Sequence, residues 1–282
     1  MATRRLPGSR RRAAARSAAA LVTLCGIAYV VVVASLYARQ ETLIFPAIPL
    51  PADHRYAFDV PHEEFRIPVD GATLDAVLFR QPDPRGLVFF LHGNRGNLGT
   101  WTSGLDLYRR TGYDLFIVDY RGYGRSSGRI ESEAQLHADV RAAFDAVAPR
   151  YTGKPVVIYG RSLGTGLAVR LARDVTPRLL VLVSPYTSLV EAGLRRYPFV
   201  PAFLMKYPIR TDAMIGEVKS PVLLLHGTDD RLIPPADSVA LRRLVRSPVE
   251  LVLVDGAGHA DIQGDPRTLD VLADRLARAA PR

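Results

Sequence analysis

A serine between two glycines, Gly160-Arg161-Ser162-Leu163-Gly164, follows the apolar run Pro155 to Tyr159 and opens a Leu-, Ala- and Val-rich stretch ending near Asp174. The run is short and β-branched and the stretch after it is helical in composition, so the serine falls on a strand-to-helix turn. Such a turn strains the backbone and lifts the hydroxyl above the sheet edge, while the glycines allow strand and helix to approach closely. The helix start also directs free N–H groups and the positive end of its dipole at any anion formed beside the hydroxyl. That is the setting for attack on a carbonyl. A second match, Gly124-Arg125-Ser126-Ser127-Gly128, lacks a strand directly before it, since the nearest apolar run ends at Tyr120; Ser126 is read as a turn residue.

An unassisted serine hydroxyl is a poor nucleophile and needs a base, with a third group to orient that base. His259, in a glycine-rich loop after the run Val249 to Val254, is the expected base, taking the Ser162 proton and returning it to the leaving group. His54 and His62 lie in a linker and His137 in a polar helix. His92 and His226 precede glycines at strand ends, where a structural role is expected. The orienting carboxylate is sought among Asp229, Asp230, Asp255 and Asp261. The last two stand too near His259 in the chain to reach it from a separate loop. Asp230 is preferred, and Asp229 is expected to cap or stabilise the loop. For the tetrahedral oxyanion, the backbone N–H groups of Leu163 and Asn94 are the expected donors, with Arg95 as the second choice for the latter.

These side chains need a frame. Glu63 to Val69 and Thr73 to Arg80 flank Asp70-Gly71, which reads as a hairpin. Apolar runs at 87–91, 115–118, 156–159, 179–183, 222–225 and 249–254 then alternate with helical stretches at about 98–110, 133–148, 163–173, 236–246 and 266–279. The pattern predicts a mostly parallel sheet with an antiparallel start, covered by helices on both faces. Ligands bind beyond the carboxyl ends of such strands, which is where the serine, aspartate and histidine fall, in that order.

The chain has 282 residues, enough for one large α/β domain with an appendage. Its net charge of +9 is concentrated at the start, in Arg4, Arg5, Arg10, Arg11, Arg12 and Arg16; without those six, the 37 basic residues fall to 31 against 28 acidic ones. No basic and aromatic interleaving remains to bind nucleic acid. Cys25 stands alone, which excludes an intrachain disulfide and a cysteine metal cluster. It lies in an uncharged run from Ala18 to Ala38 that, at ~1.5 Å per residue, gives a helix of roughly 31 Å, matching a hydrocarbon core of about 30 Å. Residues 1–17 are therefore read as a basic cytoplasmic N-terminus, 18–38 as an uncleaved transmembrane anchor and 39–62 as a proline-marked linker. The arginine asymmetry places the 63–282 domain on the far, extracytoplasmic side. A cleaved signal ending near Ser35 is the alternative.

The motifs Gln40 to Pro46, His92-Gly93-Asn94 with Gly96-Asn97, Asp119 to Ser126, the turn at Ser162, His226-Gly227 with Asp230, and Gly258-His259 resemble the α/β-hydrolase superfamily, specifically its membrane-anchored, serine-aminopeptidase-like and ABHD-type branch. The resemblance covers about residues 40–275. It implies an α/β-hydrolase fold with a short cap insertion at about 185–219, and a Ser162, His259, Asp230 triad working through an acyl-enzyme on an ester or thioester of a small or lipid-like acyl substrate. Peptidase activity and a non-catalytic binding protein are the alternatives. It implies no metal or organic cofactor, and the H-G-x-x-D pattern puts the acid on Asp230. Arg95 departs from the small residue common among such relatives, which is expected to alter access beside the oxyanion site. The cap is rich in aromatic and aliphatic residues, from Tyr186 to Tyr207, and is read either as an apolar face on the core or as a lining for an acyl chain.

Overall fold

The computed structural model describes residues 7–102 and 105–279. Of the six early arginines, Arg4 and Arg5 lie outside those residues. Helix α1 (Pro7–Ala38) is continuous, and its segment Arg12–Ala38 is long and apolar enough to cross a membrane. The linker is less extended than its prolines predict: Gln40–Ile44 forms a one-turn helix, α2, because the first ring that would break it comes only at Pro46.

Eight strands form one sheet: β1 (His62–Val69), β2 (Ala72–Phe79), β3 (Gly86–Leu91), β4 (Tyr113–Asp119), β5 (Val156–Arg161), β6 (Leu179–Val183), β7 (Val222–Gly227) and β8 (Val249–Val254). Their order is β1-β2-β4-β3-β5-β6-β7-β8. The hairpin turns at Asp70-Gly71, with Gly71 at φ 69° and Val69 facing Ala72. β2 also runs antiparallel to β4, and every pairing from β4 to β8 is parallel. Alternation along the strands sends successive side chains to opposite faces. Phe89, Phe116, Ile158, Leu180 and Leu224 pack on the side of α4 (Glu133–Val147), α5 (Leu163–Val175) and α8 (Pro235–Leu244). Phe90, Ile117, Val157, Val181 and Leu223 pack on the side of α3 (Leu105–Thr111) and α9 (Pro266–Ala279). Burial on both faces is why these strands read as unbroken apolar runs rather than alternating ones.

The helix expected at about 98–110 begins only at Leu105. Upstream, Asn97 and Thr100 close a turn on themselves: Gly99 N–H donates to Asn97 Oδ1 (3.1 Å), Asn97 N–H to Thr100 Oγ1 (2.9 Å), and Thr100 Oγ1–H to Asn97 O (2.8 Å). Short polar side chains that satisfy nearby backbone compete with helix in this way. After β6 the chain forms α6 (Leu189–Arg196), capped by Ser188 accepting from Glu191 N–H, then a single 3-10 turn at 202–204 and α7 (Thr211–Met214). Tyr186 and Tyr207 are buried in the core, whereas Phe199 and Phe203 are exposed.

Candidate active site

Ser162 joins the end of β5 to α5 at φ 50°, a left-handed conformation that a residue with a Cβ adopts only under constraint. Three bonds impose it: Ser162 N–H donates to Val183 O (2.9 Å), and Ser162 O accepts from Thr165 N–H (2.9 Å) and Thr165 Oγ1–H (2.6 Å). The flanking glycines are needed sterically. A Cβ on Gly160 would stand 2.6 Å from Gly164 O, and one on Gly164 would collide with the Leu91 carbonyl at the end of β3.

The structure brings Ser162, His259 and Asp230 together. His259 Nε2 lies 3.0 Å from Ser162 Oγ, and His259 Nδ1 lies 2.7 Å from Asp230 Oδ2. An ionised carboxylate only accepts, so Nδ1 carries the ring proton and Nε2 is left to accept from the serine hydroxyl. Asp230 is buried. Burial on its own would raise its carboxyl, but hydrogen bonds from His226, His259 and Ile233 N–H outweigh it and hold the group well below the usual carboxylate range. Its Oδ1 also accepts from Leu232 N–H (3.0 Å) and Ile233 N–H (2.8 Å). Asp230 thus does the loop-capping expected of Asp229, whose side chain is exposed. Asp261 folds back locally and accepts from Gly258 N–H (3.1 Å).

Asn94 and Leu163 flank the serine. Neither N–H has a hydrogen-bond partner among the described residues, and Leu163, as the first residue of α5, has no intrahelical acceptor. A Cβ on Gly93 would stand 3.6 Å from Ser162 Cβ, which is how closely this loop approaches. Its peptide planes are pinned from behind. His92 Nδ1–H donates to Gly93 O (2.6 Å), Tyr120 Oη–H to His92 O (2.9 Å), and Tyr123 Oη–H to Asn94 O (2.8 Å). Because C=O and N–H of one trans peptide point in opposite directions, the His92 bond fixes where the Asn94 N–H aims. His92 Nε2 in turn faces the buried Asp119 Oδ1 at 3.3 Å. Arg95 is exposed, and its carbonyl accepts from Trp101 Nε1–H (2.6 Å).

One residue of the pentad has a partner that the sequence did not foretell. Arg161, 3% exposed at the end of β5, donates from its guanidinium to the His259 carbonyl. Burial pushes that guanidinium down, and its Nε and Nη1 have no partner among the described residues. The available signal was a charge closing an otherwise apolar strand. Ser126 is a buried turn residue, donating to Asp119 O (2.7 Å) and accepting from Asp75 N–H (2.8 Å). Among the described residues no cluster of His, Cys, Asp and Glu could hold a metal ion.

Residues 82–211 match the family model described as serine aminopeptidase, S33. The chain is 35% identical over 216 residues to alpha/beta hydrolase domain-containing protein 17C of Xenopus tropicalis, covering 75% of this chain and 68% of that protein. The chain belongs to the α/β-hydrolase superfamily, in its ABHD-type branch. The human 17B protein is 37% identical over 186 residues, and that match covers 64% of this chain and 63% of the relative, under two thirds of its length. Among solved structures, an esterase of Pyrococcus furiosus superposes with a TM-score of 0.63 at 19% identity, covering 83% of this chain and 97% of that one. A soluble variant of Saccharomyces cerevisiae monoglyceride lipase, bound to a substrate analog, gives 0.62 at 19% identity, over 83% and 100%. At that identity the likeness is one of fold.

Proposed function

We propose that the chain is a serine hydrolase cleaving acyl esters or thioesters through an acyl-enzyme. The observation that carries this reading is the continuous Ser162, His259, Asp230 hydrogen-bond relay at a strained strand-to-helix turn. Ser162 Oγ attacks the acyl carbon while His259 Nε2 takes its proton. The oxyanion forms against the Asn94 and Leu163 N–H groups, and His259 then protonates the leaving alkoxide or thiolate. Water, deprotonated by the same imidazole, completes the cycle. Asp230 keeps the proton on Nδ1 and stabilises the imidazolium, and Arg161 holds the His259 main chain in place. The substrate class, a small or lipid-like acyl compound, is supported by the esterase and lipase among the similar folds and by the apolar helix that would keep the domain at a membrane. Hydrolysis of peptides is the second reading, favoured by the aminopeptidase description of the matching family model.

The test is labelling of the full chain in detergent by a fluorophosphonate probe. The wild type is expected to label and Ser162→Ala not to; a folded wild type that resists the probe overturns the reading. Turnover of matched acyl ester, thioester and aminoacyl amide then separates the two substrate classes.

A further inference from the structure

The cap is fastened to the very helix that would cross the membrane, and the level of those contacts along α1 has a consequence. Between Arg16 and Arg39 the helix carries no charge, so the hydrocarbon core must fall between those two residues. Tyr29 sits ten residues before Arg39, about 15 Å down the helix at ~1.5 Å per residue. Its hydroxyl donates to Phe199 O in the cap at 3.0 Å. Higher up, Lys206 Nζ stands 4.5 Å over the Tyr37 ring, and Gln40 holds the Leu204 carbonyl (2.7 Å) and the Lys206 N–H (2.9 Å). The cap therefore runs beside α1 from the level of Gln40 down to that of Tyr29. If α1 is in the bilayer, the lower end of that strip is below the headgroups.

The side chains there suit that depth. Phe203 is 85% exposed and Phe199 49%, and outside α1 they are the only exposed phenylalanines among the described residues. Basic groups, Lys206 and Arg39, stand at the upper end, where lipid phosphates would lie. An apolar tip under a basic collar is the pattern of an element set into the acyl region of a leaflet.

We propose that the cap tip, residues 197–204, is a membrane-inserted element that seats the domain on the leaflet from which α1 emerges. The proposal rests on reading α1 as a membrane span, and it deepens the substrate assignment. The cap leaves the same sheet edge as Ser162, and Asn94 Nδ2–H donates to Ile44 O (3.1 Å) in the helix that leads out of the bilayer, so the rim of the site faces lipid-held acyl groups.

The test uses the full chain in phosphatidylcholine vesicles, made inactive by Ser162→Ala so that no result depends on catalysis. The single native cysteine, Cys25, takes a nitrobenzoxadiazole label as the reference for α1. In a Cys25→Ser background, Phe199→Cys, Phe203→Cys and, at the opposite sheet edge, Thr152→Cys carry the same label. Doxyl-labelled lipids are expected to quench most of the emission at 25, 199 and 203 and none at 152, with iodide in the buffer showing the reverse order. Quenching at 25 with iodide-accessible labels at 199 and 203 overturns the proposal and leaves the anchor intact. An unquenched label at 25 removes the anchor and the proposal together, while the fluorophosphonate result on active protein stands apart from either.

Discussion

In the proposed mechanism two side chains decide how well His259 acts as a base, and each makes a prediction. Asp230 is ionised in the fold well below the value of ~3.9 that it has in an unfolded chain, so its ionisation adds stability above about pH 4 that is lost as pH falls further. Asp230→Asn keeps the shape but removes both the charge and the acceptor that selects the Nδ1–H tautomer. Turnover is expected to fall by ~10³- to 10⁴-fold. The melting temperature of the variant should trail the wild type most at neutral pH, and the gap should begin to narrow as pH falls below about 4, as thermal scans will register. Arg161 acts one bond further out, through the His259 main chain. Arg161→Ala frees that loop, and misplacing the imidazole by about 1 Å costs up to ~10²-fold in kcat. KM for a short ester should stay close to the wild-type value, and Arg161→Lys, which keeps one donor, should recover part of the loss. Equal damage from alanine and lysine, or a change confined to KM, would refute this positioning role.

At the scale of elements, the segment after β4 ties the linker to the sheet. Asp75 in β2 is buried and receives Arg125 Nε–H (2.9 Å) and Nη2–H (2.7 Å) and the Tyr56 hydroxyl (2.8 Å). Arg125 also reaches His54 O (2.8 Å), and Leu50 N–H and Gly124 N–H exchange bonds with Gly124 O and Ile48 O. Asp75→Ala leaves Arg125, 8% exposed, with only the part-exposed Glu64 (2.6 Å) as an ion-pair partner, which is destabilising by up to about 3–5 kcal/mol. Chemical denaturation should show that drop, with Arg66→Ala, a half-exposed neighbour, changing little. This layer also marks how far the sequence could be read. Strands came through as apolar runs because both sheet faces are buried, and the hairpin came through its Asp-Gly turn. Candidate site side chains were legible because each follows a strand end. The tethers were not: Asp75 to Arg125, Arg161 to His259 and Gln40 to the cap join residues 50, 98 and 166 positions apart, and neither periodicity nor local propensity records such a pairing. The late start of α3 was hidden for a different reason, since a self-closing Asn97 to Thr100 turn has the same apolar neighbours as a helix start.

For the whole molecule, the arrangement places a positively charged end, an apolar helix long enough to cross a membrane and the sheet in series, and charge sets the orientation proposed for it. Arg10, Arg11, Arg12 and Arg16 precede the uncharged span, while past it Arg39 is followed at once by Glu41, which pairs with Lys206 at 3.1 Å. The cost of moving arginines across is far greater on the first side, so we propose that this end stays in the cytoplasm and the domain is carried over. Glu41 adds little to this asymmetry, since the rule counts lysines and arginines rather than net charge. Burial would raise its carboxyl, but the hydrogen bonds it accepts, from the backbone and from Lys206 and Tyr207, hold it below its ordinary value, so it remains an anion beside the exit of α1 at neutral pH. A reporter enzyme that folds only outside the cytoplasm, fused after the last residue, should therefore be active, and one that works only in the cytoplasm should be silent. Replacing the arginines at 10, 11, 12 and 16 by serine while adding four lysines between Arg39 and Gln40 should invert both readouts. If the wild-type fusion is active only inside, the domain faces the cytoplasm and the acyl groups within its reach belong to the inner leaflet. The depth of the cap tip beside Tyr29 would then be unchanged, because it is set by contacts within the chain and not by which side of the bilayer the chain ends on.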